Sequence, residues 1–402
     1  MLPLVPLHRL IESPILLQCV QALIIWLGQF PLRRMALAAT KCEPLAFIVA
    51  LAYLANSWIG SIVNHGFHFE VFFIVSGLVM LDGWTREKSW NYLLGLVIFL
   101  ATKEDGAFYT TAFSLGALAT SKPRIKLALV TLGLSIATAW VNFAVAQPYF
   151  LHLSGMNQPR YLGRFWGRYG ETKGAIVAAM AAHPGWVLED VLTGGWSTIF
   201  GSMLFLPFLS VHAAITFIPF LLLNGTASTD DQQMRDYAFY YSAPLLPFLF
   251  WGLVSSYPNV TRTTQRLAVM LKKKFSPHFP LGVLAIGAAS FALSTGGYQR
   301  FPAPNFQALR DLQSIRASHI GESGEPICAQ LAFFPHLPYQ WNLEPLYQEC
   351  LTNPLKLSIL GPSYDPNPHT IEVIQSMIKQ GELVRSFPSG IVLVRGVDRL
   401  KK

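Results

Sequence analysis

Long apolar runs separated by short polar connections fill most of the chain. They fall at about Ser13 to Gln29, Pro44 to Ile59, Val71 to Gly83, Tyr92 to Thr102, Gly106 to Ala119, Leu127 to Ala146, Ser197 to Leu209, Val211 to Leu223, Ser242 to Ser256 and Leu281 to Thr295. Each predicts a helix. Several are shorter than the roughly 20 residues of an untilted bilayer span, so partial helices are expected among them. From about Gln299 the pattern changes: short β-branched runs at Ile327 to Leu331, Leu357 to Leu360 and Ile391 to Val394 alternate with helical stretches near Phe306 to Ile320 and Thr370 to Lys379. The expected fold is an α-helical polytopic membrane protein with about ten transmembrane or partial helices over residues 1–297, followed by a small α/β domain over 298–402.

Composition agrees. Of 402 residues, 52% are hydrophobic and 13% charged, where a soluble domain carries about a quarter charged residues. The net charge of +8 would suit nucleic acid in a soluble chain. Here the basic residues collect in alternate connections instead: Arg33, Arg34 and Lys41; Arg86 and Lys88; Lys122, Arg124 and Lys126; Arg262, Arg266 and the run Lys272 to Lys274. That distribution sets topology, with these connections cytoplasmic, and no nucleic-acid partner is expected. The intervening connections and the C-terminal domain then face outward. Met1 falls on the outer side of this scheme, which a missing first helix would explain. The N-terminus lacks the basic region and small-residue cleavage site of a signal peptide, so no cleavage is expected. Four cysteines are too few for a disulfide framework; Cys328 and Cys350 are the one plausible pair.

Against this background Lys103-Glu104-Asp105 stands out, because it interrupts the apolar stretch Tyr92 to Ala119. Charge at membrane depth marks a functional site by default. Both flanking connections are basic, so the chain must reverse at the triplet. Arms of about 11 to 14 residues reach roughly 16 to 21 Å at helical rise against about 30 Å of hydrocarbon, which puts the triplet at the floor of an outward recess. An ordinary hairpin turn with self-paired charges is the alternative. On the same side lie His68 and Glu70, a general base or ligand pair by residue type, or simple interfacial residues. Arg160, Arg164 and Arg168 recur at four-residue spacing with Tyr161, Trp166 and Tyr169; on a helix they would form one anion-binding face, specific for phosphate or merely resting on the membrane. Asp236 and Tyr237, with Tyr240 and Tyr241, suit a sugar rim or an interfacial anchor. There is no phosphate-binding Gly-rich loop, no paired CxxC and no HExxH. No metal ligand set and no bound cofactor are read, and the part of a divalent ion stays open.

Taken in order, these residues resemble a family of bacterial predicted membrane proteins, domain of unknown function 2079, thought to be related to GT-C glycosyltransferases. The resemblance rests on Phe67-His68-Phe69-Glu70, which looks like the family's FHPE with Phe69 at the proline. It also rests on Lys103-Glu104-Asp105, Arg160-Tyr161, Tyr237 to Pro247, Ala329 to Leu337 and the final Gly390 to Arg395, and it covers essentially the whole chain. It implies sugar transfer from a polyprenyl-phosphate donor at the outer face, among membrane lipids. Lys103 with Arg160, Tyr161, Arg164, Arg168 and Tyr237 would bind substrate, and Glu70, Glu104, Asp105 and His68 would supply acid–base groups. GT-C proteins carry their catalytic acid in an outward loop after a first helix. This chain is expected to begin inside that loop, leaving its own carboxylates as supporting members. A non-enzymatic transporter or lipid-binding protein is the alternative, in which the buried charges line a pathway.

Overall fold

A computed structural model of the chain describes residues 14–64, 68–120, 124–153, 159, 161–194, 196–228, 240–294, 306–317, 327–329, 343–345, 357–361, 374–376, 378–379 and 382–395. It is mostly helical, with a small sheet at the C-terminal end. The described residues fall into two compact units, one within Gln18–Gln299 and the other drawn from Met1–Leu17 and Arg300–Lys402.

In the first unit the apolar runs become helices, with differences that have local causes. The opening helix, Pro14–Thr40, continues through Arg33 and Arg34, which the sequence pattern assigns to a connection. The run Pro44 to Ile59 divides into Glu43–Leu54 and Ser57–Asn64. Asn56 makes the break: its side-chain oxygen accepts the backbone N–H groups of Trp58 and Ile59 at 3.0 and 3.2 Å, satisfying two orphan donors of a new helix start. The run Leu127 to Ala146 extends instead, as a continuous helix Ile125–Leu153 with a π-helical turn at Val141–Ala146. Within the expected outward loop 147–196, residues form helices Tyr161–Trp166, Lys173–Ala182 and Pro184–Thr193.

Helices Val71–Thr85 and Ser89–Thr102 pack backbone to backbone because glycine occupies the contact. A Cβ on Gly83 would meet the backbone nitrogen of Tyr92 at 2.3 Å, and one on Gly95 that of Met80 at 2.4 Å. Around them an aromatic core includes Phe73, Phe99, Phe113, Phe248 and Trp251, with Phe99 and Phe248 edge to face at 5.7 Å. Buried hydroxyls bridge the helices: Tyr92 Oη lies 2.6 Å from Thr131 Oγ1, and Thr110 Oγ1 lies 2.7 Å from Ser135 Oγ.

By length and composition, one helix among the described residues is able to cross a membrane, Ile125–Leu153. A second qualifies only if Lys173–Ala182 and Pro184–Thr193, bent by 96°, are one segment. The remaining apolar helices, such as Glu43–Leu54, Val71–Thr85, Ser89–Thr102 and Phe279–Leu293, are shorter.

The second unit holds helix Phe306–Ala317 and a five-stranded sheet: β1 Ile327–Ala329, β2 Leu343–Pro345, β3 Leu357–Leu360, β4 Glu382–Ser386 and β5 Val392–Arg395, in the order β2-β1-β3-β5-β4. β1 runs parallel to β2 and β3, and β5 antiparallel to β3 and β4. Alternation along the strands supplies two apolar faces. Ile327, Ala329, Ile359 and Leu393 pack with Leu312 and Ile315 of the helix, while Cys328, Leu360 and Val394 pack with Ile374. Cys328 is disulfide-bonded; Cys350, its expected partner, lies outside the described residues.

Candidate functional site

The turn at Lys103 is built by its neighbours. The Thr102 hydroxyl bonds back to the Ile98 carbonyl at 2.8 Å as the helix ends, and Lys103 is extended at φ −163°, ψ 159°. Helix Gly106–Thr120 then begins. In one continuous helix residues 99 and 106 would be about 10 Å apart along the axis. Instead a Cβ on Gly106 would meet the Phe99 carbonyl oxygen at 2.8 Å and the Phe73 ring at 3.0 Å. The chain therefore reverses here, and only glycine fits the fold-back.

The reversal carries Lys103 to Glu70. Lys103 Nζ donates to Glu70 Oε1 at 3.1 Å and lies 3.6 Å from Asp105 Oδ2. Glu70 is the residue before helix Val71–Thr85, yet its side chain makes no capping bond there; it is turned to the ammonium. The Tyr241 ring flanks Lys103, with 5.6 Å from Nζ to the ring centre. Tyr109, buried one turn into the next helix, lies close enough to Asp105 to sense its charge. Glu104 interacts electrostatically with Lys103 and with Lys173. Lys173 in turn bonds to Gln147 and lies 4.9 Å over the Phe143 ring, on the π-helical part of Ile125–Leu153. The backbone N–H of His68 donates to Gln21 Oε1 at 2.8 Å, two residues before Glu70.

The arginine-bearing stretch divides. Its helix spans only Tyr161–Trp166, so Arg168 lies beyond the end and shares no helical face with Arg164. Arg168 donates to Asp190 Oδ1 at 2.6 Å and to Glu189 Oε2 at 2.8 Å, with the Trp186 ring 5.2 Å from its guanidinium carbon. Its charge is met by two adjacent acids on the helix Pro184–Thr193, which corrects, for Arg168, the expectation of an arginine face open to anions. Arg164 is exposed, 5.6 Å from the Phe165 ring centre. Phe165 meets Tyr241 at 6.1 Å between centroids, so this stretch reaches Lys103 through two aromatic rings. Tyr161 opens its helix. Arg160 and Tyr237 lie outside the described residues.

A cavity of about 660 Å³ opens beside the turn, between helices Ser89–Thr102 and Ile125–Leu153. Val97, Leu100, Ala101, Leu134, Ala137 and Val141 make its walls largely apolar, with Thr102, Thr138 and Asn142 among them, and Lys103 and Glu104 stand at one end of it. Val97, Leu134 and Val141 are themselves exposed.

Sequence reasoning missed Tyr109, Tyr241's contact with Lys103, and Lys173. It also missed Asp82, fully buried and bound by Arg34 at 3.0 Å and Arg86 at 2.7 Å. A lone acid inside the run Val71 to Gly83 was the available signal. Among the described residues no group of three or more His, Cys, Asp or Glu is arranged to hold a metal ion.

A family model described as "Predicted membrane protein (DUF2079)" matches residues 1–349, and the chain belongs to that family. No curated protein and no solved structure matches the chain.

Proposed function

We propose that this member of the predicted-membrane-protein family is a polytopic inner-membrane protein, related to GT-C glycosyltransferases, that takes a sugar from a polyprenyl-phosphate donor at the outer face. The observation that carries the proposal is the apolar cavity beside Ile125–Leu153 ending at Lys103 and Glu104. An isoprenoid tail fits such walls, and its phosphate would then meet the ammonium of Lys103. Glu70, Glu104 and Asp105 lie within reach of the same point as candidate bases for an acceptor hydroxyl.

The membrane reading draws on exposed apolar side chains across several helices, among them Trp90, Leu94, Val97, Leu129, Trp140 and Val145, far more than a water-facing surface carries. It draws too on the ion pairs at the two ends of Val71–Thr85: Glu70 with Lys103, and Asp82 with Arg86. The C-terminal sheet unit would sit outside, where a disulfide at Cys328 is stable.

Charge favours a second reading. Glu70, Glu104 and Asp105 face Lys103 and Lys173, three negative against two positive, so a phosphate must draw Lys103 from its carboxylates or recruit Arg164. A non-enzymatic lipid-binding or transport protein needs no such exchange. The test is binding of polyprenyl phosphate and uncharged polyprenol to the full chain in nanodiscs, together with release of labelled sugar from the polyprenyl-phosphate sugar. Preference for the phosphate, weakened by Thr138→Trp in the cavity wall, with sugar release lost in Glu104→Gln, supports transfer. Phosphate-selective binding without sugar release favours the second reading, and equal binding of the two lipids refutes the phosphate site.

A further inference from the structure

A second cavity, of about 730 Å³, lies where the turn after Val71–Thr85 meets the start of Ile125–Leu153. Trp84, Glu87, Ser89, Arg124 and Lys126 line it. It shares no lining residue with the cavity at Lys103, so nothing here depends on the reading of that site.

Two cations face one acid in this cavity. Arg124 donates to the Trp84 carbonyl and, at 2.7 Å, to Glu87 Oε1, and its guanidinium carbon lies 4.9 Å from the Trp84 ring centre. A guanidinium has five N–H donors; the two bonds and the ring contact fix its plane and leave donors to spare. Lys126 is exposed and makes no ion pair among the described residues. The Glu87 side chain is 78% exposed, so water screens the one opposing charge. The Ser89 hydroxyl adds a donor. Helices Ser89–Thr102 and Ile125–Trp140 both begin at this cavity with no side-chain cap; their first amides add to the cations and do not replace them.

Apolar exposure identifies the source of the anion. Trp90 is 76% exposed beside Ser89, and Leu94, Ile125 and Leu129 are exposed further along the same two helices. An amphipathic indole beside a cationic pocket, continued by an apolar stripe, matches the interface of a leaflet. A free phosphate would gain nothing from the stripe.

We infer that this cavity seats the phosphate of an anionic glycerophospholipid, held by Arg124 and Lys126, with the acyl chains along the stripe from Trp90 and Ile125. The experiment uses the full chain in phosphatidylcholine nanodiscs with a small share of phosphatidylglycerol photoreactive in its head group, and maps the crosslinked peptides. Crosslinks are expected on peptides holding residues 84–90 and 124–127, and fewer with a photoreactive phosphatidylcholine. Lys126→Gln should lower them about fivefold, the effect of one basic residue at an anionic surface, and Lys126→Glu further. Lys272→Gln, at an exposed lysine outside the cavity, should leave them unchanged. Because Lys126 is exposed, its removal spares the fold, and unchanged thermal unfolding verifies this. Crosslinks elsewhere, equal yields in Lys126→Gln, or no preference for the anionic head group would overturn the site. Displacement by inorganic phosphate at a concentration matched to that of the lipid would overturn the lipid as ligand, because the apolar stripe should give the lipid the tighter hold.

Discussion

Lys103 Nζ meets Glu70 Oε1 at 3.1 Å across 33 positions of sequence, joining the turn between two helices to the mouth of a third. Removing either partner leaves the other a partly buried charge, which costs more than the pair contributes. Lys103→Met is expected to destabilise the helical unit by about 1 to 2 kcal/mol, and Glu70→Gln by a similar amount, the scale of a hydrogen bond to a charged group with allowance for partial exposure. The double variant should lose less than the sum. Unfolding in detergent, analysed as a double-mutant cycle, checks this; strict additivity would mean that the two groups do not interact.

Asp82 offers a more deeply buried case. Its side chain is fully buried between Arg34 and Arg86. Asp82→Asn leaves two guanidinium groups without their carboxylate and should cost about 3 kcal/mol or more. Glu43→Gln, at the exposed pair with Arg33, should cost under about 1 kcal/mol. Chemical denaturation of both variants tests the contrast, and similar losses would contradict it.

Two glycines separate packing from propensity. Gly95→Ala adds a Cβ within 2.4 Å of the Met80 backbone nitrogen and should destabilise by about 1 to 3 kcal/mol through overpacking. Gly133→Ala meets nothing within 4 Å and should stabilise its helix by about 0.5 to 1 kcal/mol. Opposite shifts in thermal unfolding temperature are the expected readout.

The C-terminal unit should weaken in acid. Burial opposes ionisation of Asp311, but its carboxylate accepts the Ser389 backbone N–H at 2.9 Å and the Gln307 amide at 3.0 Å, and Arg385 adds charge attraction. Together these hold its pKa below the usual carboxylate value. A lowered folded-state pKa gives stability that is complete above the unfolded-state value and lost as pH falls through the folded one. Hydrogen exchange of the β5 amides should therefore speed up as pH drops below the ordinary carboxylate range, beyond the intrinsic effect of pH. Asp311→Asn should flatten that dependence.

Much of the fold was legible because burial selects residue types by period. The apolar runs named Val71–Thr85, Ser89–Thr102 and Gly106–Thr120 almost to their ends, and the β-branched runs named β1, β3 and β5. β2 and β4 escaped notice. Glu382–Ser386 is exposed along its whole length, so as an edge strand it has no apolar face to declare, and three-residue β2 ends in proline. Within the site, the sequence singled out Lys103, Glu104, Asp105 and Glu70 because isolated charge beside apolar runs is visible in one dimension.

What the sequence alone determined is the helical class, the place of the reversal at Lys103 and the charged residues around it, since these follow from local periodicity and from the cost of desolvating charge. Partnership was decided only in three dimensions. That Glu70 serves Lys103 rather than its own helix, that Arg168 is bridged to Glu189 and Asp190, that Lys173 approaches Glu104, and that Asp82 is shared by Arg34 and Arg86 all depend on contacts between distant segments. A side chain's electrostatics are set by whatever lies within a few ångströms of it, and spacing along the chain does not record that distance.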